Sequence, residues 1–373
     1  MDLRTRFIRS LRFDTSVPPL FWHMFGLMPG VLERWRSEGL PSSIGEEQVT
    51  EYFGFDGYGW LRGMVTEDGK CHPISLPFPV GFDPPFQPRI IENTEREVIS
   101  VDALGRVTRL IKGISTLPRV LEYPVKKPSD WQSLKKRLQF SESRFKGDWL
   151  KRYEEIRSRG LPVTVGLLGF FWFPRDLMGE LTLCRAYYEN PNFIHDILES
   201  YSSLIIDVAE YMLASVEIDA VSFGEDMAYR HGPMISPRLF REFMLPYYRK
   251  VIDLFHHNGT RIFCVDSDGN INMLIPLLIE AGINVVGPIE VQAGNDLVDL
   301  RRRFGTKMAY FGGLDKLALT KGPDAIDREL ETKLPVMLKT GGYSVGLDHR
   351  VLPNTPLNNF EYYTRRVREI LSG

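Results

Sequence analysis

The chain has little cysteine. Cys71, Cys184 and Cys264 are the three in 373 residues, far apart and in no Cys-x-x-Cys pair. That excludes a disulfide framework and a thiolate zinc knuckle, and it fits a reducing compartment, so a cytoplasmic protein is expected. The chain also lacks any run of about 18 apolar residues, the length a helix needs to span a bilayer. Its opening, "MDLRTRFIRSLRF", is basic without an apolar stretch, so neither secretion nor membrane spanning is expected. Charge of one sign is not in excess, with 46 Lys and Arg against 48 Asp and Glu, and the basic field that draws nucleic acid is therefore missing. No Gly-x-Gly-x-x-Gly turn or Gly-x-x-x-x-Gly-Lys loop follows any apolar run, which removes the usual nucleotide fingerprints.

What is present is alternation. From Leu161 onward, "PVTVGLLG", "DAVSFGE", "RIFCVD", "NVVGPIEV", "KMAYFGG" and "YSVGLDH" are short apolar runs separated by helical patterns. Near-continuous apolarity of that length marks buried parallel strands. The helices between them have readable ends. In "SPRLFREFMLPYYRKVIDLFHHNG", Ser236 is placed to cap, Pro237 takes the first helical position and Gly259 closes the helix, with Pro246 expected to kink it. "NMLIPLLIEAG" repeats the pattern and ends at Gly282. Six strand and helix units, with "PPLFWHMFG" near the start as a first strand, nearly fill an eightfold ring. A single (β/α)8 TIM barrel over residues 1–373 with an N-terminal extension is the leading architecture, and a doubly wound sheet is the alternative. Residues 73–127 break the alternation. A Pro-rich stretch precedes "REVISVDALGRVTRLIKG", two β-type runs about Gly105, and reads as a β-hairpin insertion.

Barrel chemistry sits where strands end, and here the strand ends are acidic. Glu225 and Asp226 follow one run, Asp266 and Asp268 the next, then Glu290, Asp315 and Asp348, so as many as seven carboxylates converge on one face together with His349. Crowded carboxylates repel unless they are protonated, paired or bound to a cation. Capping of the following helices is the other use for acids at such turns. Asp266, Asp268, Glu290 and His349 are the candidate ligands of a divalent metal whose identity the donors leave open. His23, closing the first strand, is the other histidine expected to see this bowl. Tyr229 and Arg230, in "EDMAYRHG", and Arg350 could reach the same mouth, with Tyr229 ranked first.

The stretches "GEDMAYRHGPMISPRLFREFMLPYYRKVIDLFHHNG", "DSDGN", "LIEAGINVVGPIEV", "RRRFGTKMAYFGGLD" and "GLDHRVLPNTPLNNF" resemble the uroporphyrinogen decarboxylase superfamily, which includes cobalamin-dependent methyltransferases. The resemblance runs in order from about Pro162 to the C-terminus and implies the barrel. It departs from the decarboxylases after the first strand, where they carry an arginine-bearing segment that holds substrate carboxylates and this chain has "FWHMFGLMPG". His349 falls where they carry a histidine. In the methyltransferases, zinc is bound by a His-x-Cys after one strand and a Cys after the last. Asp266 and Asp268 stand at the first pair and His349 at the last, a replacement by harder donors. The resemblance thus implies an enzyme, and from the positions after the apolar runs His349, Asp226 and Tyr229 are expected in catalysis and His23, Arg230 and Asp315 in substrate binding. The leading expectation is transfer of a methyl group activated by a metal or an acid, with a corrinoid carried on a partner protein. Decarboxylation of a uroporphyrinogen-like tetrapyrrole and non-catalytic binding of a corrinoid or tetrapyrrole are the alternatives. Beyond a small-molecule substrate and that corrinoid-binding protein, a homodimer is open.

Overall fold

The computed structural model describes residues 1–114 and 117–372. All seven apolar runs form strands of one curled sheet. In chain order the strands of the molecule are β1 (Leu20–His23), β2 (Gly57–Tyr58), β3 (Gly63–Val65), β4 (Cys71–Pro73), β5 (Arg89–Asn93), β6 (Glu97–Val101), β7 (Val107–Ile111), β8 (Arg119–Glu122), β9 (Thr164–Leu168), β10 (Ala220–Gly224), β11 (Ala228–Tyr229), β12 (Gly232–Pro233), β13 (Ile262–Asp266), β14 (Val285–Gly287), β15 (Ala309–Phe311) and β16 (Tyr343–Val345). The large sheet runs β4-β3-β2-β1-β16-β15-β14-β13-β10-β9. Its two ends meet, because Ser75 bridges Thr164 in parallel, with Leu76 N donating to Thr164 O at 2.8 Å and Thr164 N to Ile74 O at 2.9 Å. The ring is a TIM-barrel-like α/β fold. Its closure lies in the short segment between Gly57 and Leu76, where β3 runs antiparallel to its neighbours. Strands of two or three residues carry too little periodicity to be read from sequence.

The ring is sealed inside by aromatic rings. Trp22 meets Phe311 edge-on at 5.6 Å, and Trp60 packs on the other side of Phe311, also at 5.6 Å. Trp60 Nε1 also donates to Ser222 Oγ across the lumen. Outside, the long helix Pro191–Leu213 buries a continuous apolar face, as an amphipathic helix laid on a sheet should. Ser236 Oγ accepts from Leu239 N as expected, at 3.3 Å. Pro246 does more than kink the helix that follows. The chain divides into Pro237–Phe243 and Leu245–His257, with Met244 between them at φ −113°.

The insertion is larger than a hairpin. β6 and β7 pair around Gly105 as read, but β5 and β8 flank them to give a four-stranded antiparallel sheet. Residues 115–116 of this excursion lie outside the described residues. No described helix is long and apolar enough to cross a membrane.

Strand parity overturns one expectation. Successive side chains of a strand point to opposite faces, and since Trp22 fills the lumen, His23 turns outward. His23 stacks on Phe55 at 5.0 Å, its Nδ1 lies 3.3 Å from Thr50 Oγ1, and its Nε2 is buried without a partner. It is a core residue between barrel and helix, away from the bowl. Burial holds its pKa down at about 4, below the usual value of about 6.5. A neutral folded histidine that is charged when unfolded makes stability rise with pH wherever the unfolded chain binds the extra proton. Stability is therefore complete above about pH 6.5 and falls as pH drops toward 4, by about 3 kcal/mol at most. Urea denaturation from pH 7 to pH 4 checks this: His23→Phe should flatten that part of the profile, and equal slopes in the two proteins would show that His23 does not titrate as described.

Candidate functional site

The acids at the strand ends divide into two groups, and the division follows from the donors around each. Glu225 is fully buried. Its carboxylate accepts from the backbone N–H groups of Phe170, Phe171 and Trp172 at 2.8, 2.9 and 3.0 Å and from the Tyr248 hydroxyl. It caps the start of helix Trp172–Met178 from a neighbouring strand, in the manner of an N-cap side chain. Burial nonetheless pushes its pKa up to about 7 against those four donors.

Asp348 is likewise structural, with 0% exposure. It accepts from Val291 N at 3.0 Å and Lys316 N at 3.1 Å, and pairs with Lys316 Nζ at 3.1 Å. Asp315, expected to bind substrate, instead accepts from Leu317 N at 2.8 Å and Gln292 Nε2 at 3.0 Å, which fixes its own turn. Glu290 accepts from Gly269 N at 3.0 Å and so holds the "DSDG" turn. Gly269 sits there at φ +83° with the Ala228 carbonyl 2.6 Å from where a Cβ would be, a place only glycine can occupy.

Asp226, Asp266, Asp268 and His349 remain. Asp226 has a left-handed backbone at φ +42°, held by Arg175 Nη1 donating to its carbonyl at 2.8 Å. Its Oδ1 accepts from Asp268 N at 3.1 Å. Asp268 lies 3.5 Å from His349 Nε2. His349 Nδ1 accepts from Arg350 N at 2.8 Å, so a neutral ring carries its proton on Nε2, facing Asp268. Phe25 packs against the imidazole at 5.1 Å.

Asp266 is the member that faces a cavity. In the sheet it stands in register between Gly224 and Gly287, and the missing side chains there are filled by indoles. The Trp172 ring is 3.5 Å from a Cβ position on Gly224, and Trp60 is 2.8 Å from one on Gly287. Paired residues of adjacent strands point the same way, so the Asp266 carboxyl is boxed by two tryptophans. That desolvation, with the Asp226 and Asp268 charges behind it, raises its pKa well above the usual carboxyl range; Arg62 opposes weakly and no hydrogen bond pulls it down. In front of it is a cavity of about 460 Å³ lined by Met24, Phe25, Tyr58, Trp60, Arg62 and Arg350, among others.

Arg62 and Trp60 come from the turn between β2 and β3, which reasoning from sequence missed because it did not place β2 at the barrel mouth. Tyr229 and Arg230 were ranked or placed in the site from sequence, but Tyr229 stands 52% exposed on the β11–β12 hairpin with Arg230 exposed beside it. Arg350, ranked below Tyr229, lines the cavity.

The donors do not fit the expected divalent metal. Among the described residues no three His, Cys, Asp or Glu side chains are grouped to hold one ion. Glu290 is engaged by Gly269 N, Asp226 by Asp268 N and His349 Nδ1 by Arg350 N, while Asp266 points alone into the cavity.

Adjacent residues on one turn should thus respond differently to truncation. Asp348→Ala strands a largely buried Lys316 ammonium and should cost about 3 kcal/mol of stability, the lower end for breaking a buried pair. His349→Ala should cost no more than about 1 kcal/mol, the scale of one lost hydrogen bond. Urea midpoints measure both, and an equal loss in the two variants would remove the separation of structural from functional acids.

Comparison with known proteins agrees with the barrel. The family model described as uroporphyrinogen decarboxylase (URO-D) matches residues 98–370. The uroporphyrinogen decarboxylase of Serratia proteamaculans is 27% identical over 214 residues, 54% of this chain and 58% of that one. That of Hydrogenovibrio crunogenus is 23% identical over 278 residues, 72% and 75% of the two chains. The chain thus spans little more than half the length of the first of these relatives. A methyltransferase from Methanosarcina mazei superposes over 99% of both chains with a TM-score of 0.60 at 16% identity, which is a likeness of fold. Since the matched span runs from the inserted sheet through every strand that carries an acid of the bowl to the last helix, the chain belongs to the uroporphyrinogen decarboxylase family.

Proposed function

We propose that the chain is a methyltransferase of a corrinoid-dependent system that works by acid catalysis, with Asp266 as the acid. The observation that carries this reading is the Asp266 carboxyl, boxed by Trp60 and Trp172, without a hydrogen bond to its ionised form and facing a cavity. Such a group keeps its proton to higher pH than an exposed carboxyl does and can give it to a departing heteroatom, the task that a metal would otherwise perform. The corrinoid, carried on a partner protein, supplies the acceptor for the methyl group. This chain's part is to hold the substrate, exclude water and deliver the proton. Once ionised, Asp266 is disfavoured by burial and by Asp226 and Asp268, which drives it to recover a proton. The more exposed pair Asp268 and His349 is the route to solvent.

Decarboxylation is the second reading, and one observation favours it: Arg62 and Arg350 bring two guanidinium groups to the cavity, and arginine forks bind carboxylates. Two glutamates, Glu33 and Glu46, line the same cavity, so the walls hold no surplus of positive charge for a tetrapyrrole bearing many carboxylates. The volume, about 460 Å³, is also at the small end of the ~300–1,000 Å³ typical of ligand sites. Uroporphyrinogen III should therefore not be turned over; loss of its carboxyl groups at a rate like that of a decarboxylase would favour the second reading over the first.

Asp266→Asn tests the acid role. Methyl transfer should fall at least about a hundredfold, the lower range for a general acid. Because the folded pKa of Asp266 is raised, the wild type loses stability as pH climbs above the unfolded value near 3.8. The variant lacks that slope and should be the more stable protein at pH 7. Full activity in Asp266→Asn, or lower stability at pH 7, would contradict the assignment.

A further inference from the structure

The sheet inserted between β4 and β9 has a bare edge. β5 is its outer strand, so the backbone groups on its far side have no ladder partner among the described residues. Every residue of β5, Arg89–Asn93, is exposed, with Ile90 at 64% and Ile91 at 51%. Adjacent isoleucines on a free edge are a template for another strand. The charges beside them are also unspent. Elsewhere in the insertion Glu97 pairs with Arg109, Asp102 with Arg106 and Glu122 with Lys126, whereas Arg89 and Glu92 have no ion-pair partner among the described residues. β5 lies ahead of residues 98–370, the span that the family model matches.

A bulge ordinarily protects an edge by twisting it away from a partner. The one in β5 also changes which side chains share a face. Arg89 stands opposite Val101, Ile90 opposite Ser100 and Glu92 opposite Ile99, so Ile91 is the extra residue. Val101 and Ile99 alternate with Ser100 on β6 and point to one face. Arg89 and Glu92 therefore share that face, although their odd spacing would put them on opposite faces of a regular strand. When a second β5 is laid antiparallel beside the first, about a two-fold axis normal to the sheet, the axis passes between Ile90 and Ile91. Arg89 of each copy then comes opposite Glu92 of the other on the same face, and the isoleucines meet between them. Without the bulge the two charges would lie on opposite faces and could not meet.

The other edge carries a similar order. Arg119, Val120, Leu121 and Glu122 of β8 also shift register against β7, but there Lys126 Nζ already holds Glu122 at 2.7 Å. β5 is the edge whose charges await a partner. It is also presented rigidly, since Arg106 ties the insertion to Asp176 on the helix Trp172–Met178, and an edge held in place loses little freedom on pairing.

We propose that two copies of this chain associate through β5, paired antiparallel about that axis into one continuous sheet, with Arg89 of each copy against Glu92 of the other and Ile90 and Ile91 between them. A patch that meets itself closes at two copies. The interface is small, so the dimer is weak and dissociates on dilution.

Sedimentation equilibrium of the whole chain over a range of concentrations tests this with four proteins beside the wild type: Arg89→Glu, Glu92→Arg, the two combined, and Glu122→Arg. All three positions are exposed, so thermal unfolding should be unchanged in each variant. The expected result is a monomer–dimer equilibrium in the wild type and in Glu122→Arg. It should be at least about tenfold weaker in either β5 single variant, which sets like charges opposite each other at both symmetry-related places. The combined variant, which restores opposite charges, should regain dimerisation. A wild type that is monomeric up to about 1 mM overturns the proposal. So does a dimer indifferent to Arg89→Glu and Glu92→Arg, which would place the interface elsewhere. A combined variant as weak as the single ones overturns the pairing of Arg89 with Glu92. Species larger than a dimer, lost in Glu122→Arg, would mean that β5 pairs with β8 of the next copy and overturn the two-fold arrangement.

Discussion

A carboxyl group set between two indoles, with two further carboxylates behind it, stays ionised only at a cost of several kcal/mol. Much of the upper barrel is arranged around that constraint at Asp266. Gly224 and Gly287 flank it in register; a Cβ on Gly287 would run into Trp60, while at Gly224 the Trp172 ring lies in van der Waals contact with the Cβ position. Trp60 can reach the lumen because the ring closes through the short strands β2 to β4 rather than through a full strand and helix unit, which brings the turn Gly59–Arg62 to the mouth. The neighbouring acids are kept in place without relieving Asp266. Asp226 is held by Arg175 and spends its oxygen on Asp268 N, and Glu290 braces the turn below.

The seven barrel strands read from sequence are all present because buried parallel strands announce themselves as apolar runs. The acids after them do lie at one end of the ring for the same reason. Their roles were not legible. Glu225 and Asp226 are adjacent, yet one caps a helix and the other belongs to the open cluster. Only the three backbone N–H groups that meet Glu225 distinguish them, and those belong to a segment more than fifty residues earlier in the chain. Asp348 and His349 divide in the same way on the presence of Lys316. Capping and pairing absorbed Glu225, Glu290, Asp315 and Asp348, and of the four expected metal ligands took Glu290.

Parity was the signal available and unused. Trp22 and His23 are neighbours on a four-residue strand, so they cannot both face the lumen, and the larger apolar ring took it. Parity also places Cys264 on the inward face with Asp266, where it is fully buried beneath it. Tyr229, expected at the mouth, stands away from it for a different reason: the residues after β10 fold back as the β11–β12 hairpin, which carries the phenol out to solvent. Arg62 and Trp60 lay in a stretch with no apolar run, and nothing local there indicates that it closes a barrel.

The protonation state of Asp266 is the central claim, and isotope-edited infrared spectroscopy measures it most directly. The difference spectrum at pH 7 between the wild type, labelled with carbon-13 at its aspartate carboxyl groups, and the equally labelled Asp266→Asn protein should contain the carbonyl stretch of one protonated carboxylic acid in an apolar setting. That band should persist as pH is raised past the range in which exposed aspartates have long since ionised. A difference spectrum containing only the paired stretches of a carboxylate at pH 7 would mean that Asp266 is charged in its box, and would contradict the account of the site.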